Sequence, residues 1–223
     1  AHKGDAKAKR GASIYLGILL ATSIGLFLPG VFAVYAFTGT TDFTVGGILS
    51  GVGPMAGSVL LVLFAFGIGK AALMPVHPWL PNAMVAPTPV SALLHAVAVV
   101  KAGVFSILKV VVYIFGADYM QTLPAADVLA WVAGGSIVVA SIFAFTKDNL
   151  KARLAYSTVS QLSYITIGAL LATSAGVVGG AMHIAMHAVG KITLFFVPAP
   201  SWWPPIKPRS ARCAGLAAGC RLP

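Results

Sequence analysis

Six apolar stretches, each about the length needed to cross a bilayer, leave this chain few ways to fold. A membrane-spanning helix needs about 20 predominantly apolar residues. Ile14–Phe37 is one uninterrupted run, and Pro54–Met74 is a second, broken by Lys70. Val90–Phe115 carries His95, Lys101 and Lys109, and Val128–Phe145, Leu154–Leu171 and Val177–Val197 follow. Charged residues make up 9% of the chain and hydrophobic ones 58%, whereas soluble domains are about a quarter charged. A soluble helical core leaves too little polar surface for so many runs. The expected fold class is therefore an all-α membrane protein of about six transmembrane helices. The expected division is a basic cytoplasmic segment over residues 1–11, a transmembrane domain over 12–197 and a distinct tail over 198–223.

Loop charges orient these helices. Lys3, Lys7, Lys9 and Arg10 precede the first run, and Lys147, Lys151 and Arg153 follow the fourth. Alternating spans put both groups on one side. The opposite side holds Asp42, Asp118 and Asp127 with no Lys or Arg. The positive-inside rule places the basic side in the cytoplasm, so the expected location is the cell (inner) membrane. All five acidic residues are aspartate, which excludes any site needing a glutamate from this chain. Basic residues are scattered over loops and tails without aromatic interleaving, which argues against a nucleic-acid partner. Cys213 and Cys220 stand close together near the end, with no metal-binding spacing. No P-loop, Rossmann glycine pattern, haem or iron–sulfur spacing or nucleophile elbow is present. No cofactor is expected, and no covalent or redox chemistry from this chain alone.

Ionisable residues inside spans are costly and are functional candidates by default. Lys101 lies about 17 Å along its helix from Val90, near the bilayer centre. Lys109 is close enough to the far end to snorkel and reads as structural. Lys70 follows Gly67 and Gly69 and precedes Pro75, which allows a broken helix there; a helix end with an interfacial lysine fits the spacing equally well. His183, His187 and Lys191 fall at i, i+4 and i+8 and share one helix face. That stripe suits a proton relay, because histidine titrates near neutrality, and it suits interhelical hydrogen bonding too. His95 reads by itself as a packing residue. Trp79, in the Pro-rich connection that also holds His77, reads as an interfacial anchor.

Two longer stretches carry a family resemblance. One runs from Gly67-Ile68-Gly69-Lys70-Ala71-Ala72-Leu73-Met74-Pro75-Val76-His77-Pro78-Trp79-Leu80-Pro81 through Ala86-Pro87-Thr88-Pro89-Val90-Ser91 to His95. The other is Lys147-Asp148-Asn149-Leu150-Lys151-Ala152-Arg153-Leu154-Ala155-Tyr156-Ser157-Thr158-Val159-Ser160-Gln161. Both resemble the antiporter-like proton-translocating subunits shared by respiratory complex I and Mrp-type Na⁺/H⁺ antiporters. Ala96-Val97-Ala98-Val99-Val100-Lys101-Ala102-Gly103-Val104-Phe105 is most similar to the D-type Mrp subunit.

The resemblance implies part of an inverted-repeat bundle with a broken helix near Lys70, covering the sixth to eleventh of about fourteen helices. It implies proton-relay roles for Lys70, His95, Lys101, His183, His187 and Lys191, with helix-break roles for Gly67, Gly69 and Pro75. The implied partners are protons, Na⁺ or another monovalent cation, the lipid bilayer and other membrane subunits of a hetero-oligomeric complex. Membership of an NADH:quinone oxidoreductase or a membrane hydrogenase is the alternative, and a non-functional gene fragment is a second. Val189-Gly190 departs from the aromatic pair common before the last lysine. The family's fifth-helix glutamate and twelfth-helix ionisable group are expected outside this stretch of chain.

From Val197 the character changes, through Pro198, Pro200, Trp202, Trp203, Pro204 and Pro205. One added T before a permitted set of codons for Val197–Cys213 regroups them. They then encode Cys-Ala-Gly-Ala-Ile-Leu-Val-Ala-Ala-His-Lys-Thr-Glu-Ile-Ser-Gln-Met, which is similar to the family continuation. The tail is therefore expected to be out of frame, and a genuine Pro-rich cytoplasmic tail is the alternative.

Overall fold

The computed structural model describes residues 6–85, 88–96 and 98–196, and every regular element among them is helical. Each apolar run contains helix, and the chain is a multi-pass membrane protein. Four stretches are long and apolar enough to cross a bilayer: Ala8–Thr38, Pro89–Phe115, Pro124–Thr146 and Ser174–Phe195. α3 (Pro54–Gly67) is shorter, and α9 (Leu150–Leu170) starts with Lys151 and Arg153 in its first turn.

The first span is α1 (Ala6–Thr22), a π-helical turn (Ser23–Phe27) and α2 (Leu28–Thr38). Pro29 has no N–H to donate, and its ring crowds the carbonyl four residues earlier. The wider turn just before it takes up that misfit. The run beginning at Pro54 does not stay helical to Met74. α3 stops at Gly67, Ile68 leaves helical geometry at φ −79°, ψ 60°, and a single 3-10 turn (Gly69–Ala71) follows. Helix resumes only at α4 (Trp79–Asn82), which runs into a 3-10 turn (Ala83–Val85). The third run is also divided, into α5 (Thr88–Ala96) and α6 (Val99–Lys109), followed by a π turn (Val110–Phe115). Ala98 N–H bonds the Leu93 carbonyl five residues back, so the turn is wide there. No proline or glycine marks that division in the sequence.

After α7 (Ala117–Met120), α8 (Pro124–Thr146) and α9 form a hairpin. Its turn is closed by Asn149, whose side chain accepts the Lys151 N–H at 2.9 Å as an N-cap. Ser141 and Ser160 hydroxyls meet across the pair at 3.1 Å. α10 (Ser174–Phe196) packs on α9, α5 and α6. The residues inside are mixed, and those outside are apolar. Trp131 and Phe145 on α8 are 83% and 84% exposed, while Lys101 and Lys191 are 6% and 3% exposed. A water-soluble globule arranges these the other way round; a bilayer supplies the apolar surroundings that the outer face needs.

Candidate functional site: a buried lysine–histidine seam

α6, α9 and α10 meet along a basic seam. On α10 the i, i+4, i+8 spacing puts His183, His187 and Lys191 on one face, as the helical period requires. Lys101 of α6 reaches across to that face, and its Nζ is hydrogen-bonded to Nδ1 of His187. Such a bond between two bases needs a lone pair on one of them. Either the lysine ammonium donates to a neutral imidazole, or a protonated Nδ1–H donates to a neutral amine. The bond therefore cannot form with both groups protonated.

The rings of His187 and His183 stack at 6.0 Å between centroids and 7° between planes. The Tyr164 ring of α9 lies 6.4 Å from His183. One turn along α10 from His187, Lys191 donates to the Leu154 carbonyl at 3.1 Å and to Ser157 Oγ at 3.0 Å, both on α9. The four groups thus line one interface. No carboxylate among the described residues is buried with them: Asp42, Asp118, Asp127 and Asp148 are all exposed.

Lys70 stands apart. It sits in the 3-10 turn, exposed, with no hydrogen bond or ion pair among the described residues. Its backbone is nevertheless locked against the seam. Gly103, two residues after Lys101, has its bare face on the turn, and a Cβ there would lie 2.8 Å from the Lys70 carbonyl oxygen. Gly67 and Gly69 work in the same way on the other side. Their bare faces lie on the backbone of Phe27 and on Thr22, the ends of the π turn in the first span. The glycines around the break therefore serve close approach as well as the break itself. Pro75, after a cis peptide bond, lies in the non-helical path between Ala71 and Trp79.

Trp79 is not an interfacial anchor. It is fully buried, and its indole N–H donates to the Gly69 carbonyl at 3.0 Å. Tyr15 packs edge-on against it at 5.6 Å. The Gly69 carbonyl closes the 3-10 turn by accepting the Ala72 N–H at 3.1 Å, and the indole is its second donor, immediately before Lys70. Nothing in the sequence joins residue 79 to residue 69, so this contact is invisible without the fold. Lys109 lies over Phe43 and Tyr113, 4.8 and 5.1 Å from the ring centroids, in keeping with a structural role. His95 belongs to α5, but its side chain lies outside the described residues. His77 ends up beside Tyr156, at 6.3 Å between rings.

The class that these features define is a multi-pass membrane protein with an interrupted helix packed against a buried basic seam. The chain belongs to the family described as NADH:quinone oxidoreductase/Mrp antiporter, TM, whose pattern matches residues 1–199. It is 37% identical over 181 residues to the chloroplastic NAD(P)H-quinone oxidoreductase subunit 5 of Zygnema circumcarinatum, covering 77% of this chain and 24% of that protein. It is 36% identical over 146 residues to a probable K(+)/H(+) antiporter subunit from Rhizobium meliloti, covering 64% of this chain and 14% of that one. A chain in the structure of the Mrp complex from a Dietzia species superposes with a TM-score of 0.75 at 32% identity, over 86% of this chain and 21% of that chain. The chain thus spans about a quarter or less of the length of each of these relatives.

Proposed function

We propose that this chain is part of a proton-translocating membrane subunit, of the D type, in a multisubunit monovalent cation/proton antiporter. The observation that carries the reading is the Lys101–His187 hydrogen bond, continued by His183 and Lys191 along one buried interface. Hydrogen-bonded bases in line, with no carboxylate buried beside them among the described residues, favour transfer over storage. Lys70 joins the line through the locked backbone of the break, and His95 is proposed as a further relay group on α5. Protons and Na⁺ or another monovalent cation are the proposed substrates, with other membrane subunits as partners. The proposed location is the inner membrane, with the basic loops in the cytoplasm.

Residues 1–11 are read as the basic segment, 12–197 as the membrane domain and 198–223 as an out-of-frame tail. Resequencing the codons around Val197 tests that last point, and an intact single frame through Pro223 refutes it. The relay is tested by Lys70→Ala and Lys101→Ala in the full-length protein. Cation-dependent proton flux in vesicles is expected to vanish, and normal flux at normal expression overturns the assignment.

Membership of an NADH:quinone oxidoreductase is the second reading. The identity to a protein named as subunit 5 of such an enzyme favours it. Neighbouring genes separate the two: small antiporter subunits on one reading, iron–sulfur and flavin subunits on the other.

A further inference from the structure

Lys191 needs partners in both of its protonation states, and of the two described oxygens that it touches Ser157 Oγ is the one that can also donate to its lone pair. Its Nζ touches two oxygens of α9, the Leu154 carbonyl at 3.1 Å and Ser157 Oγ at 3.0 Å. These residues are i and i+3 on α9 and so lie on one face. The carbonyl only accepts. It also accepts the Thr158 hydroxyl at 2.8 Å, which leaves it little freedom to turn toward anything else. A hydroxyl both donates and accepts. When Lys191 is an ammonium, Ser157 Oγ accepts from it. When Lys191 is a neutral amine, the hydroxyl can rotate and donate to the nitrogen lone pair.

We propose that Ser157 is a positioning residue for Lys191: its hydroxyl keeps the lysine nitrogen at the same place on α9 before and after the proton leaves. This rests on the relay reading given above. Without the hydroxyl, a neutral Lys191 faces only an acceptor, which offers its lone pair no hydrogen bond. The amine N–H can still donate to the Leu154 carbonyl, but the nitrogen, held by one bond instead of two, swings away from its place and must be re-aligned for each turnover. The cost falls on the rate of proton transfer and not on cation binding.

The test compares Ser157→Ala, Ser157→Val, Ser157→Thr and Lys191→Met in the complete subunit within its assembled complex. Proton flux is measured in inverted vesicles over a range of Na⁺ and, separately, K⁺. The alanine and valine variants are expected to lose roughly tenfold in maximal rate, the size of a lost hydrogen bond to a charged group. Their half-saturating cation concentration is expected to stay unchanged. Threonine, which matches valine in shape but keeps the hydroxyl, is expected to restore the rate. Equal rates for threonine and valine overturn the proposal, as does a change confined to cation half-saturation. Failure of both alanine and valine variants to assemble, where threonine assembles, overturns it in favour of a purely structural hydroxyl. A normal rate for Lys191→Met overturns the relay reading itself, independently of Ser157.

Discussion

Trp79→Phe isolates the bond that pins the broken helix. Phenylalanine keeps an aromatic ring for the Tyr15 edge contact at 5.6 Å and removes the indole N–H that bonds the Gly69 carbonyl at 3.0 Å. That carbonyl then keeps only the Ala72 N–H, at 3.1 Å. Losing one neutral hydrogen bond of a satisfied pair costs about 0.5–1.5 kcal/mol. The loss is local, so it lowers the free energy of opening residues 68–74 by that amount. A shift of this size is roughly a 2- to 12-fold increase in the open population. Amide hydrogen exchange on the full-length protein in lipid nanodiscs measures it. Peptides covering 68–74 should exchange faster by a factor in that range, while peptides from the middle of α9 keep wild-type rates. Proton flux should fall with them, because the Gly69 carbonyl immediately precedes Lys70. Unchanged exchange over 68–74 refutes the latch. An equal increase throughout the bundle refutes it too, since the tryptophan then serves general packing alone.

Gly103→Leu should push α6 off the 3-10 turn, because even a Cβ there lies 2.8 Å from the Lys70 carbonyl oxygen; overpacking of this kind costs about 1–3 kcal/mol, read as a lowered unfolding temperature in detergent. Lys101→Arg should abolish flux while preserving charge and assembly, because a guanidinium holds its proton throughout and has no lone pair to take one back. His183→Glu should slow flux more than His183→Gln does. A carboxylate about 6 Å from the His187 ring attracts a unit charge by about 3 kcal/mol at an effective dielectric near 20, so the proton held between Lys101 and His187 stays where it now passes on; equal fluxes for the two variants contradict this account.

The membrane class, the helical runs and the His183–His187–Lys191 face were legible because each rests on a periodicity or a length that the sequence carries openly. The break near Lys70 was legible from Gly67, Gly69 and the prolines that follow, though not its role as a contact surface. That role appears only when Phe27, Thr22 and Gly103 arrive from elsewhere in the chain. The division at Ala98 left no trace, since Ala96, Ala98 and Val99 are ordinary membrane-helix residues and the wide turn is imposed by packing. Trp79 misleads for a related reason. Its side chain has an apolar body and one donor, which suits an interface as well as it suits a buried carbonyl. Only tertiary structure supplies the carbonyl. Ser157 shares its type with several α9 hydroxyls that bond their own helix, including Thr158, Ser163 and Thr166. What sets it apart is the lysine brought to it by α10.

The electrical character of the seam follows from what these contacts omit. Lys101, His187 and Lys191 are buried among helices whose described acidic residues all lie exposed. Like charges held together in low dielectric oppose one another. The Lys101–His187 hydrogen bond states this in its most compact form, because it cannot exist with both partners charged. On the relay proposed above, a proton arriving at Lys191 therefore bears on the one held between Lys101 and His187. A fixed carboxylate inside the seam would cancel that mutual opposition and trap charge. Among the described residues no carboxylate is buried there to do so. On the relay proposed above, such a row of bases passes a change in charge at one end along to the other, and the contact at Gly103 sets the turn that carries Lys70 against α6.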